Sequence, residues 1–194
     1  MQFEQAKSFI LDKLTKELPG YLSYHTIDHV LDVYGAAETL GRMENLTENE
    51  LLLLLTAALF HDAGFTIGLK EHEESSCVIA ARYLPGYGYS DADIEKISGM
   101  IMATKLPQLP KNLSEQIICD ADLDYLGRDD FFPISDSLYR EFLFTAVVSN
   151  ENDWNKLQVT FFEKHQYFTA SAIKLRQQKK EDNLRSIKSK ITGN

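Results

Sequence analysis

The sequence is short of the features that would tie a chain to a disulfide framework, a membrane or a polyanion. Two cysteines in 194 residues, Cys77 and Cys119, are too few for a stapled scaffold and lack zinc-type spacing. Both lie in apolar helical contexts and read as buried thiols. Basic residues are outnumbered, 20 Lys and Arg against 29 Asp and Glu, for a formal charge of −9. So acidic a chain repels nucleic-acid polymers, which sets DNA and RNA aside as partners. A small phosphorylated molecule stays open, because one local basic pocket suffices for it. No apolar run approaches the roughly 20 residues of a membrane span. The N-terminus lacks the charged-then-apolar pattern of an export leader. The expectation is a soluble, cytoplasmic protein. Period-two alternation and internal repeats are missing too, which argues against a sheet or a solenoid.

What the sequence does carry is helical periodicity. Phe3, Ala6, Phe9, Ile10 and Leu14 form one stripe, stopped by Pro19-Gly20. Val30, Val33, Ala37 and Leu40 form a second, closed by Gly41. Further helices are expected over about 71–84, from Ser90 (a capping box with Asp93), and from about Ser114 to Gly127, with two or three more beyond Asp129. The fold class is therefore all-α, a compact bundle of roughly seven to nine helices. Chain length suits a single domain over 1–194. The segment from Ala172 onward carries +5, leaving −14 for the rest. It reads as a solvated helix that partly neutralises an acidic body, or as a phosphate-reaching arm or homodimer contact.

The chain is organised around Leu51 to Gly64. Thr47 and Glu50 form a capping box ahead of it. The run is apolar on every side and so belongs in the interior. It ends in His61-Asp62, with Ala63-Gly64 as the stop and Gly64 free to take positive φ. Burying an imidazole and a carboxylate costs several kcal/mol unless a partner satisfies them, and a cation suits the negative end of a helix. Four of the five histidines lie between His25 and His72. His29, His61-Asp62 and the Asp-rich Asp120-Ala121-Asp122 segment place imidazoles and carboxylates on three helices, as helical bundles build metal sites. Such N and O donors suit Mn, Fe, Zn, Ni or Mg. Asp120 and Asp122 point roughly 200° apart on a helix, and helical phase does not choose between them.

The pattern His29, His61-Asp62, Asp122 resembles the HD-domain metal-dependent phosphohydrolases, over about residues 24–127. Tyr24-His25-Thr26-Ile27-Asp28-His29 is similar to the Tyr-His-Asn-x-x-His segment of the cyclic-nucleotide phosphodiesterase branch, with Thr26 in place of Asn. The resemblance implies a divalent ion held by His29, His61, Asp62 and Asp122. It also implies attack on phosphorus by metal-activated water, Asp62 as orienter of that water and His25 as proton donor to the leaving oxygen. It selects Asp122 over Asp120. His72 and Glu73 stand where several such enzymes bind a second metal or the phosphate. Lys105 and Arg128 are candidate charge neutralisers for a phosphate, or plain surface charges. His165 lies outside the cluster and reads as a structural or surface histidine. The C-terminal helices, about 129–194, are expected to pack on this core. Two alternatives stand beside hydrolysis: an HD-type di-iron oxygenase, with His72 as an extra ligand, and a nucleotide-binding regulatory module without turnover.

Overall fold

The computed structural model describes residues 1–192. Among them lie nine α-helices and no strand. They are α1 (Phe3–Glu17), α2 (Ile27–Met43), α3 (Glu48–Phe60), α4 (His72–Tyr83), α5 (Asp91–Ala103), α6 (Leu113–Asp122), α7 (Phe131–Phe144), α8 (Glu151–Lys164) and α9 (Ala170–Thr192). Short 3₁₀ turns follow α3, α4 and α6. No helix is long and apolar enough to cross a membrane.

Helix α3 is the centre. Leu51, every residue from Leu53 to Phe60, and then His61 are buried, and α1, α2, α4, α5 and α6 pack around it. Each leucine taken fully out of water contributes about 1.5–3 kcal/mol. The one hydroxyl in the run, Thr56, is satisfied by donating to Leu52 O at 2.7 Å and by Tyr89 Oη at 2.9 Å. The surrounding helices each turn one stripe inward, Ala6, Ile10 and Leu14 on α1 and Val30, Val33, Ala37 and Leu40 on α2. The capping boxes at Thr47 and Ser90 form as the spacing predicts. Asn112 and Asn150 cap α6 and α8 by accepting from the amides of Glu115 and Asp153.

Two local expectations need correction. Helix α2 runs through Gly41 to Met43. Gly41 serves close packing instead, since a Cβ there would meet Leu51 Cδ1 at 2.8 Å. Gly64 is not at positive φ, a conformation that only Gly88 adopts among the described glycines. What fixes Gly64 is a close crossing, because a Cβ would sit 1.9 Å from the carbonyl oxygen of His72. That contact brings the start of α4 down onto the His61-Asp62 turn.

A second buried cluster, Tyr24, Leu123, Tyr125, Leu126, Phe131, Phe162 and Ile187, joins the C-terminal helices to the ends of α2 and α6. Three basic charges of α9 are spent on the acidic body: Arg176 on Asp124, Lys179 on Asp129 and Lys188 on Glu163. Gly127 lets this helix approach, since a Cβ there would meet the Arg176 carbonyl oxygen at 2.4 Å.

Candidate metal centre

Three helix ends converge. His29 lies in the first turn of α2, His61 caps the C-terminus of α3 with Asp62 next to it, and Asp122 closes α6. His29, His61 and Asp122 offer donor atoms that all lie within 4.8 Å of one another. The two imidazole Nε2 atoms are 3.4 Å apart. Asp122 Oδ1 stands 3.3 Å from His29 Nε2 and 3.6 Å from His61 Nε2. Asp62 Oδ2 stands 3.4 and 3.2 Å from the same two nitrogens. Ligands bonded to one ion at about 2.0–2.2 Å are separated by such edges.

The donor chemistry fits as well. His61 Nδ1–H donates to Ala58 O at 2.8 Å, which leaves the Nε2 lone pair facing the cluster. Asp62 Oδ2 is buried and has no hydrogen-bond partner among the described residues. An orphaned carboxylate oxygen is costly inside a protein, and a cation beside it removes the cost. The ionisation states point the same way. Burial opposes charge on Asp62, but the neighbouring His61 outweighs it and holds the carboxyl well below its usual range. Asp122 is likewise held low against burial, by the neighbouring His29 and His61. His61 is burdened by burial yet raised well above an ordinary histidine by the two carboxylates. The cluster is built to hold positive charge.

A supporting layer fixes the turn. Ser76 of α4 accepts from Gly64 N at 2.8 Å and donates to His61 O at 2.6 Å. This serine gave no signal in the sequence, because its two partners lie 12 and 15 residues away. Asp120 does not join the ion cluster. Its carboxylate accepts from Phe168 N, Thr169 N and Thr169 Oγ1 at 2.7–2.8 Å and so anchors the entry to α9. Of the two aspartates that helical phase left open, Asp122 is the one beside His29 and His61.

His25 stands beside the cluster, its ring 5.8 Å from that of His29. Its Nδ1 is hydrogen-bonded to Oε1 of Glu141, a buried residue of α7. The other carboxylate oxygen accepts from the backbone amides of Tyr24 and His25 at 2.9 and 3.1 Å. Burial works against the imidazolium, but the Glu141 bond raises His25 above its ordinary value, and Glu141 in turn is lowered. Phe65 lies between two imidazoles, 4.4 Å from the ring of His25 and 4.1 Å from that of His72. His72 Nε2 is 3.6 Å from Asp62 Oδ1 and 3.4 Å from Glu73 Oε1.

A cavity of about 280 Å³ opens beside the cluster. His25, Asp62, His72, Glu73 and Asp122 are on its wall, and most of the remainder is aromatic and aliphatic. Lys105 and Arg128 are not on that wall. Lys105 is ion-paired with Glu74 and lines a neighbouring groove. Arg128 donates to both oxygens of Asp32 at 2.7 and 2.8 Å and clamps Asp130, on the far side of α2. His165 lies away from the site, stacked on Phe161 and edge-on to Tyr167.

The pattern of the HD domain family matches residues 26–124, more than half of the sequence. The chain belongs to the HD domain family, whose members bind divalent metal ions. The matched stretch contains His29, His61, Asp62 and Asp122 and excludes His25 and Glu141. Among solved structures the chain is similar to Bacillus subtilis YpgQ in complex with ADP, at 18% identity and a TM-score of 0.69, covering 100% of this chain and 95% of that one. It is also similar to a predicted HD superfamily hydrolase from an uncultured Thermotogales bacterium (20% identity, TM-score 0.63, 96% and 91% covered). A Lactobacillus plantarum protein matches at 17% identity and a TM-score of 0.63, with 100% and 98% covered. At such identities the likeness is one of fold. No curated protein matches the sequence.

Proposed function

We propose that the chain is a metal-dependent phosphohydrolase that cleaves a phosphomonoester or phosphodiester bond of a small, nucleotide-like molecule. The observation that carries this reading is the buried Asp62 Oδ2, without a hydrogen-bond partner among the described residues, set among His29, His61 and Asp122 on the wall of a ligand-sized cavity. The donors are imidazole nitrogens and carboxylate oxygens with no thiolate, which suits Mn, Fe, Ni, Mg or Zn in a catalytic role. His29, His61, Asp62 and Asp122 would hold the ion. A divalent cation there supplies charge stabilisation for a phosphoryl oxygen and makes water more acidic.

The side chains divide the remaining work. Water adds to phosphorus as the ester P–O bond breaks, and the leaving oxygen needs a proton. His25 is the donor: it is on the cavity wall, and Glu141 favours its charged form against burial. Asp62, on the same wall, orients the attacking water. His72 and Glu73 face the phosphoryl group from the start of α4, or a second cation where one binds. Phe65 holds both imidazoles in place and, with the apolar wall, keeps bulk water from the reacting centre. That YpgQ is similar in fold and was solved with ADP supports a nucleotide-like ligand.

The test is metal analysis of the purified chain, followed by assays of the Mn²⁺-loaded protein on nucleotides and a generic phosphodiester. Activity is expected to vanish on chelation and in a His61→Ala, Asp62→Ala variant. Full activity of that variant refutes the assignment. Iron near two per chain with oxygen uptake would instead select the oxygenase, and tight nucleotide binding without turnover the regulatory module.

A further inference from the structure

The wall of the cavity holds no lysine or arginine among the described residues. Much of its apolar part is built from Phe131, Leu138, Phe142, Trp154, Phe161 and Phe162, drawn from α7 and α8. Its polar end carries three carboxylates, Asp62, Glu73 and Asp122, with Glu141 behind His25. The imidazoles of His25 and His72 are the only wall groups among the described residues able to carry positive charge. The two cations that the sequence offered as phosphate neutralisers are engaged elsewhere, Lys105 by Glu74 and Arg128 by Asp32 and Asp130.

A phosphate brings about −1.5 to −2 charges near neutral pH. One such group is received at the ion cluster, beside the imidazole of His25 that Glu141 backs. A second or third phosphate would enter an uncompensated, largely apolar space beside carboxylates, where an unpaired charge is strongly disfavoured. A flat aromatic group meets the opposite reception, because aromatic walls stack with it. The volume of about 280 Å³ sits near the lower bound of small-molecule pockets, about 300 Å³, and suits one compact ligand.

We propose that this cavity seats a flat, uncharged aromatic group of an ester that bears a single phosphorus, and that it discriminates against polyphosphate esters for want of a cation on its wall. This rests on the phosphohydrolase reading above and narrows it. In the reaction the water oxygen forms the new P–O bond, the ester oxygen leaves with the electron pair of the old one, and that oxygen takes the proton from His25.

Trp154 makes the proposal testable apart from turnover. It is the single tryptophan, lies on the cavity wall and is 6% exposed. Its fluorescence is titrated with adenosine, AMP, ADP, ATP, ribose 5-phosphate and inorganic phosphate, on stripped protein and with Mg²⁺. Adenosine and AMP are expected to give saturable changes. ATP should bind at least tenfold more weakly than AMP, and ribose 5-phosphate and phosphate should leave the signal unchanged. On the Mn²⁺-loaded chain, kcat/KM for AMP or its cyclic diester is expected to exceed that for ADP and ATP at least tenfold. Leu157→Lys, at a 39% exposed wall position, should narrow that gap severalfold by adding the missing cation. ATP or ADP binding as tightly as AMP, or no Trp154 response to adenosine, overturns the proposal. Absence of turnover with the expected binding order overturns only the hydrolase reading.

Discussion

Glu141 grips His25 at two points, one carboxylate oxygen on the imidazole Nδ1 and the other on the backbone amide of the same residue. The ring is thereby fixed in orientation and biased toward the protonated state, and its Nε2 is left free to act as a donor. The two residues are 116 positions apart. Helix α7 lies outside the stretch that matches the HD domain family and still supplies this contact.

Glu141→Gln should lower kcat about 10–100-fold, by analogy with the loss of a hydrogen-bonded partner behind a metal-bound histidine. The pH profile carries the diagnostic sign. Glu141 raises His25 despite burial. A donor with a raised value stays competent to higher pH and is lost as pH climbs through that value. In the Gln variant the alkaline limb of kcat against pH should therefore move to lower pH. An unmoved limb would show that His25 is not the donor.

Asp120 and Asp122 should separate cleanly. Asp122→Ala removes a donor from the ion cluster, so bound metal should fall to a small fraction of that in the parent chain while the fold persists. Asp120→Ala removes three accepted hydrogen bonds at the entry to α9. It should cost about 2–3 kcal/mol of stability and leave metal binding in place. Metal analysis and denaturant melts on the two variants check both.

Gly64→Ala tests the crossing of α4 over the His61-Asp62 turn. A methyl group cannot occupy a point 1.9 Å from the His72 carbonyl oxygen, so the helix must move away. A loss of about 1–3 kcal/mol or more is expected, as for overpacking generally. Activity should fall as well, because His72 and Ser76 ride on the same helix. Retention of both parent stability and parent activity would refute this role.

His165 predicts an acid-side instability. Neither ring nitrogen has a partner among the described residues, and burial, aided by Lys180, pushes the group down to about 3. The folded chain keeps it neutral, whereas the unfolded chain protonates it below about 6.5. Stability is therefore unaffected above about pH 6.5 and falls as pH drops toward 3, by up to about 1.4 kcal/mol per pH unit. His165→Phe retains the stacking on Phe161 and removes the titration. Its stability relative to the parent, from denaturation at pH 7.5 and 5, should improve on acidification.

The sequence by itself determined what acts over one or two helical turns. The all-α class, the stripes of α1 and α2, the buried α3 and the capping boxes at Thr47 and Ser90 depend on residues three or four apart, so periodicity and capping chemistry expose them. The order His29, His61-Asp62, Asp122 was legible too, because each member stands near a helix end that the local pattern already locates. The tertiary structure decided everything that joins distant segments. It drew Asp120 away to α9, gave Glu141 to His25, spent Arg128 on Asp32 and Lys105 on Glu74, and made Gly64 a crossing point instead of a positive-φ stop. A charged or small residue states what it can bond to, but which partner reaches it depends on how whole helices pack, and no neighbour in sequence carries that information.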